Sequence, residues 1–365
     1  MGQRREAVGD MGLAPAFWRG RRVLVTGNTG FKGAWLSLWL LELGADVHGL
    51  SDDVPTEPSL FRLAALEADV QQHWVDVRDA DAVTRVVAAV RPELIFHLAA
   101  QPFVRRSFDE PVSTYATNVM GTVHLLDAVR QDPADVRVVI NVTSDKCYEN
   151  RERREGYRED EAMGGHDPYS SSKGASELVT AAFRSSYFGD PGGPRIASAR
   201  AGNVIGGGDW GEDRLVPDVM RAAIAGEPVA IRRPDAVRPW QHVLNPLHGY
   251  LTLAEAAWAD PIHATGYNFG PDPGDAQPVS WVVERLLDRW EGDVTVTADG
   301  RTHPHEAGLL TLDSSRAHER LGWQPTWDLS AGLDATAAWY SAFRDGQPVR
   351  DLSLRHLASF SEPRG

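Results

Sequence analysis

The 365-residue chain is poor in cysteine, in lysine and in long apolar runs. Its one cysteine, Cys147, excludes an internal disulfide framework and any multi-cysteine zinc site. The richest apolar stretch, Ala34 to Leu43, is interrupted by Glu42 and falls well short of the roughly 18 residues that a membrane span needs. Met1 to Gly20 carries Glu6 and Asp10 among its basic residues and has no apolar centre, so it does not read as a secretory signal. Gly2 follows Met1, but Glu6 stands where N-myristoylation wants Ser or Thr. The expectation is a cytoplasmic protein with a loose extension over 1–20. Positive charge is also scarce, with 51 acidic residues against 37 basic and a net charge of −14, which argues against broad nucleic-acid or anionic-membrane binding. Of the basic residues only Lys32, Lys146 and Lys173 are lysine; the rest are arginine. An ammonium in three places, where a guanidinium serves everywhere else, asks what a compact charge able to lose its proton does there.

What is present suffices for a large core: 42% of residues are apolar and 24% charged. At about 150 residues per domain the length suits two domains or one large one plus an extension. Arg22 to Thr26 reads as a buried strand, Gly30 to Leu43 as a helix and Asp46 to Leu50 as a second strand. Strands are expected at His73 to Val77, Leu94 to Leu98, Val136 to Val142 and Arg195 to Arg200. Helices are expected at Ala80 to Val90, Pro111 to Arg130 and Tyr169 to Phe188. Such alternation predicts parallel βαβ units in a doubly wound α/β sheet of the Rossmann type. Beyond Gly202 come glycines, prolines and short mixed segments. The expected division is a dinucleotide-binding domain over 21–202, with some later segments returning to it, and a smaller mixed substrate lobe mainly over 203–365.

The first strand runs into Gly27-Asn28-Thr29-Gly30-Phe31-Lys32-Gly33, a Gly-x-x-Gly-x-x-Gly loop opening a helix. Glycines permit the tight turn and the close approach of backbone to a pyrophosphate, and the helix N-terminus offers free N–H groups and partial positive charge. Asp52 and Asp53 lie about 20 residues on, where an acid can take the adenosine ribose hydroxyls; either can serve. No arginine stands at that strand end, which favours NAD over NADP. Asp76 can meet the adenine amino group or cap the next helix. Leu98-Ala99-Ala100-Gln101 ends the fourth strand with small residues that let a dinucleotide lie close.

Tyr169-Ser170-Ser171-Ser172-Lys173 has Tyr-x-x-x-Lys spacing, which puts phenol and ammonium one helical turn apart on one face. A phenol titrates near 10 and must lose its proton to act as a base; a neighbouring ammonium favours the phenolate. The pair follows the glycine loop by about 140 residues, just after Val142-Thr143-Ser144-Asp145-Lys146.

The glycine loop, Ala99-Ala100-Gln101, Ser144 and Tyr-x-x-x-Lys together resemble the extended short-chain dehydrogenase/reductase superfamily of nucleotide-sugar enzymes. Thr26 to Gly33, Pro55 to Phe61, Thr143 to Tyr148, Arg200 to Trp210 and Arg238 to Val243 resemble its CDP-glucose 4,6-dehydratase branch, the likeness spanning roughly 20–330. That resemblance implies an NAD-dependent hydro-lyase that makes CDP-4-keto-6-deoxyglucose from CDP-glucose, with hydride leaving carbon 4 and returning to carbon 6. Tyr169 would take the 4-hydroxyl proton, Lys173 would lower its pKa and hold the nicotinamide ribose, and Ser144 would bond the 4-hydroxyl. Asp145 would protonate the departing 6-hydroxyl. Lys146 would either take the carbon 5 proton or, staying charged, stabilise the enolate while another group or water takes that proton; Asp-Glu in place of Asp145-Lys146 would point to dTDP-glucose. Val77, Asn118 and Thr143 complete the expected cofactor contacts. Asn203, Arg214, Leu215, Arg238 and His305 are the expected substrate contacts, the arginines because a diphosphate wants bidentate cations. His303-Pro304-His305-Glu306 lies in a proline-interrupted loop with no other ligand nearby, and no metal is expected. A homodimer is expected. The alternatives are a dehydratase for dTDP- or UDP-glucose, or a nucleotide-sugar 4-epimerase, which needs no acid beside Ser144.

Overall fold

A computed structural model describes residues 13–133, 135–292, 294–298 and 309–361. The sheet is built from β1 (Arg22–Thr26), β2 (Asp46–Ser51), β3 (Gln71–Trp74), β4 (Leu94–His97), β5 (Val138–Val142), β6 (Arg195–Arg200) and β7 (Gly266–Asn268). All seven pair in parallel in the order β7-β6-β5-β4-β1-β2-β3, so the sequence reverses direction beside β1. That reversal is where a doubly wound sheet opens a crevice at the strands' carboxyl ends.

Side chains alternate across the sheet. Val23, Val25, Phe96, Val138 and Ile140 face one core, and Leu24, Ile95, Val139 and Ile196 face the other. The second core is closed by α2 (Ala80–Val90) and α3 (Gly121–Gln131), whose Val83, Val87, Leu125 and Val129 are buried. Asp79 caps α2 by accepting the Ala82 N–H at 2.9 Å, a role the sequence left open for Asp76. The first core takes α1 (Phe31–Glu42), which is apolar nearly all round and buried from Gly33 to Leu40, as a helix enclosed on both sides must be. α4 (Pro168–Tyr187) and α5 (Leu215–Ala225) follow, and then α6 (Leu244–Ala259), which packs on β5 and β6.

Two expectations shift. The strand expected over 73–77 lies at Gln71–Trp74, because this edge strand is polar and half-exposed and carries no apolar signal; Val75 to Val77 leave the sheet and line the crevice instead. The helix expected over 111–130 is not continuous: Pro111–Tyr115 is helical, Ala116–Met120 forms a wider π-turn, and α3 resumes at Gly121. Past Gly202 the chain adds short strand pairs (204–205 with 241–242, 237–239 with 276–278, 229–231 with 296–298) and α7 (Leu329–Arg344), and it returns once to the sheet as β7. Among the described residues no helix is long and apolar enough to cross a membrane.

Candidate active site

The carboxyl ends of β1, β2, β4, β5 and β6 open into one cleft of about 1070 Å³. Its floor is the loop after β1. Gly27 sits at φ +70°, and a Cβ there would lie 2.7 Å from the Ala99 backbone nitrogen; a Cβ at Gly33 would lie 2.1 Å from the Gly27 carbonyl. Neither position admits a side chain, so the turn and the start of α1 press together. Gly30, at the N-cap, supplies no capping side chain, so the first amides of α1 point into the cleft ready for an anion. A phosphate-bearing dinucleotide fits this cradle.

Of the expected cofactor residues, Gly27, Thr29, Gly30, Phe31, Lys32, Gly33, Asp52, Asp53, Asp76, Val77, Leu98, Ala99, Ala100, Gln101 and Thr143 line the cleft. Asn28 and Asn118 do not. Asn28 turns beneath the loop, donating to Gln72 at 2.7 Å and accepting from Ser51 at 2.9 Å, because Gly49 leaves it room. Asn118 accepts from the Gln101 N–H at 2.8 Å and donates to Ser172 at 2.9 Å. Both shape the cleft from behind. Asp52 and Asp53 stand at its solvent-facing rim, where partial desolvation and then the Asp52 charge raise the Asp53 carboxyl. Arg78 and Arg106 also line the cleft, so arginine is less remote from the ribose end than the local sequence indicated. Arg78 is held by Asp76, with Nε at 2.9 and 2.8 Å from its two oxygens.

The cleft's opposite wall carries Ser144, Asp145, Lys146, Tyr169 and Lys173. Ser144 donates to Asp145 Oδ1 at 2.8 Å and accepts from the Lys146 N–H at 3.2 Å. Asn203 donates to Asp145 Oδ2 at 3.3 Å. Asp145 is only 4% exposed, and a Cβ on Gly202 would come within 1.9 Å of its Oδ2, so the carboxylate occupies space that only glycine leaves open. Lys146 Nζ lies 5.9 Å from the centre of the Tyr169 ring. Burial pushes the Tyr169 phenol up to about 12, although the Ser144 hydroxyl and Arg214 work the other way. Lys173 is itself pushed down to about 8 by burial, with Cys147 and Glu177 opposing the shift.

Lys32 also faces this wall: burial, Arg214 and Lys173 bring it down to about 8 against Asp145 and Asp209. All three lysines of the chain therefore line one cleft. Asn203, Arg214, Leu215 and Arg238 line its outer half, and His305 lies outside the described residues. Sequence reading missed Asp209, which is 3% exposed and grips Arg214 Nη1 at 3.1 and 3.0 Å, and Phe103, whose ring lies 5.2 Å from the Arg214 guanidinium. An acid flanked by three glycines and a tryptophan was the available signal for Asp209.

The GDP-mannose 4,6 dehydratase family matches residues 24–336. The CDP-glucose 4,6-dehydratase of Salmonella typhimurium is 48% identical over 349 residues, covering 94% of this chain and 97% of that one. The UDP-glucose 4-epimerase of Mycolicibacterium smegmatis is 31% identical, over 87% of this chain and 98% of that one. Among solved structures, the UDP-glucose 4-epimerase of Thermus thermophilus, in complex with NAD, superposes with a TM-score of 0.71 at 25% identity, covering 88% of this chain and 99% of that one. Glycine loop, crevice and Tyr-Lys wall thus agree with the likeness over almost the whole length, and the chain belongs to the GDP-mannose 4,6 dehydratase family.

Proposed function

We propose that this chain is an NAD-dependent hydro-lyase that converts CDP-glucose to CDP-4-keto-6-deoxyglucose and water. The observation that carries this reading is the buried Asp145 beside Ser144, with Lys146 next to it, on the same cleft wall as the Tyr169–Lys173 pair. A 4-epimerase needs the pair but no such acid. The glycine loop Gly27–Gly33, with Asp52 or Asp53 at the rim, would hold NAD⁺, and the bound cofactor would supply the hydride chemistry that links carbon 4 to carbon 6. Tyr169 takes the 4-hydroxyl proton at its phenolic oxygen, and the charged Lys173 one turn away favours the phenolate. The resulting 4-keto group acidifies carbon 5. Asp145 delivers a proton to the departing 6-hydroxyl, and Lys146 either takes the carbon 5 proton or, staying charged, stabilises the enolate while another group or water takes that proton; carbon 5 is reprotonated as hydride returns to carbon 6. Ser144, in contact with both Asp145 and the Tyr169 phenol, is placed to hydrogen-bond the sugar's 4-hydroxyl. Arg214, held by Asp209, and Arg238 face the diphosphate end with Asn203 and Leu215.

Incubation with CDP-, dTDP-, UDP- and GDP-glucose tests the assignment. Loss of one water from CDP-glucose without net NAD⁺ consumption is expected; a 4-epimer, or stoichiometric NADH, sinks it. We further propose a cytoplasmic homodimer. Val112 (82% exposed), Tyr115 and Met120 lie on the helical run before α3, Leu178 (62% exposed) lies on the neighbouring α4, and together they leave an apolar surface suited to a second copy of the chain.

A further inference from the structure

Behind the cleft wall lies a buried ion pair that the proposed reaction does not use. Glu177, one turn after Lys173 on α4, and Arg200, at the end of β6, are each 4% exposed. Arg200 Nε and Nη2 reach the two Glu177 oxygens at 3.0 and 2.9 Å. The other two donors to the carboxylate are the hydroxyls of Thr143 at 2.5 Å and Ser198 at 2.7 Å. Arg200 Nη1 donates to the Tyr148 hydroxyl at 2.6 Å and to the Glu159 carbonyl at 3.2 Å, and Tyr148 donates its own proton to Asn268 Oδ1 at 2.7 Å. Arg200 holds Glu177 ionised despite its burial.

Thr143 is the residue before Ser144, and Tyr148 closes the short turn Asp145–Cys147. We infer that the Glu177–Arg200 pair is a positioning device that clamps both ends of segment 143–148, Thr143 through the carboxylate and Tyr148 through the guanidinium, and so sets where Ser144, Asp145 and Lys146 stand against Tyr169. The inference rests on the proposed dehydratase reading for its kinetic consequence, but the clamp itself is structural. A single charged pair orders the two ends together, because neither partner can shift without leaving the other unmatched in the interior. Thr143 therefore acts from behind the cofactor site: its hydroxyl is committed to Glu177 although the residue lines the cleft.

The test removes one tether and leaves the ion pair intact. Thr143→Val is expected to lower kcat about 10- to 100-fold, as small misplacements of reacting groups do, with KM for the nucleotide sugar changed less than about two-fold. Thr143→Ser, which keeps the hydroxyl, is expected to restore kcat. Tyr148→Phe removes the second tether and is expected to lower kcat similarly, the double variant being less than additive. Hydrogen exchange provides a readout without turnover: the Cys147 and Tyr148 amides, bonded to the Ser144 and Asp145 carbonyls, should exchange faster in Thr143→Val while β4 and β5 amides do not. Wild-type kcat in Thr143→Val, no rescue by serine, or unchanged exchange at 147–148 overturns the clamp. A wild-type chain inert toward all four nucleotide sugars overturns the dehydratase reading instead, and the exchange measurement still decides the clamp.

Discussion

Lys173 and Tyr169 are buried groups with opposite requirements, since one must keep its proton while the other gives its proton up. Burial lowers Lys173 to about 8 and raises Tyr169 to about 12, so each is pushed toward its neutral form. The catalytic step needs Lys173 charged and Tyr169 ionised together, and with the two at about 8 and about 12 the population of that form climbs with pH until Lys173 begins to lose its proton near 8 and then levels, so kcat should rise from pH 6 to 8 and flatten above it. A pH profile of kcat that is flat between pH 6 and 8 would contradict this assignment. Lys146 lies over the Tyr169 ring, and Lys146→Met should slow exchange of the carbon 5 proton with solvent at least about ten-fold while cofactor binding is unchanged; proton NMR of the product made in D₂O checks it. The three lysines can be found by counting, and the structure places all of them in one cleft. Glu177 and Arg200 cannot be found that way, because each is distinguished by a partner remote along the chain and a burial that no local spacing encodes.

At the scale of elements, the legible strands are those buried on both faces. Arg22–Thr26 and Arg195–Arg200 lie where apolar runs put them, and α2 coincides with its amphipathic repeat. β3 departs from its expected place because its Gln71-Gln72-His73-Trp74 looks outward at the sheet edge, and the π-turn at Ala116–Met120 preserves helical periodicity closely enough to hide in it. The loop after β6 imposes a sharper constraint. Gly202→Ala would put a methyl 1.9 Å from Asp145 Oδ2, with Asp145 already held by Ser144 and Asn203. The variant should lower kcat about 100-fold or more while leaving NAD⁺ affinity near wild type, a split read by kinetics and calorimetry. Ordinary kcat in Gly202→Ala would show that Asp145 tolerates displacement and is not the acid.

For the whole molecule, acid is the expected weakness. Burial lowers His97 and His242 to about 3, and neither can charge in the folded state. Unfolded histidine protonates near 6.5, so between that pH and about 3 the unfolded chain binds more protons and stability drops as pH falls. Each should contribute a loss of about 1–2 kcal/mol at pH 5, visible as a lower denaturant midpoint than at pH 7.5 and reduced in His242→Gln. Assembly gives a second expectation at this scale. Val112→Glu with Leu178→Glu should yield a monomer by sedimentation with the parallel sheet intact by circular dichroism; a dimer that survives both charges would place the contact elsewhere. The return of the chain to the sheet at β7 has a consequence for biosynthesis. β6 gains its outer neighbour only when residues 266–268 emerge from the ribosome, and the Gly207 turn rests on Trp339, which emerges later still. The first two hundred residues are thus made with a bare parallel edge and a cleft that lacks its outer half, where Arg214 and Arg238 stand. A ligand that spans both halves can hold them together only once Arg238 has emerged, so it cannot guard the bare edge while that edge is being made.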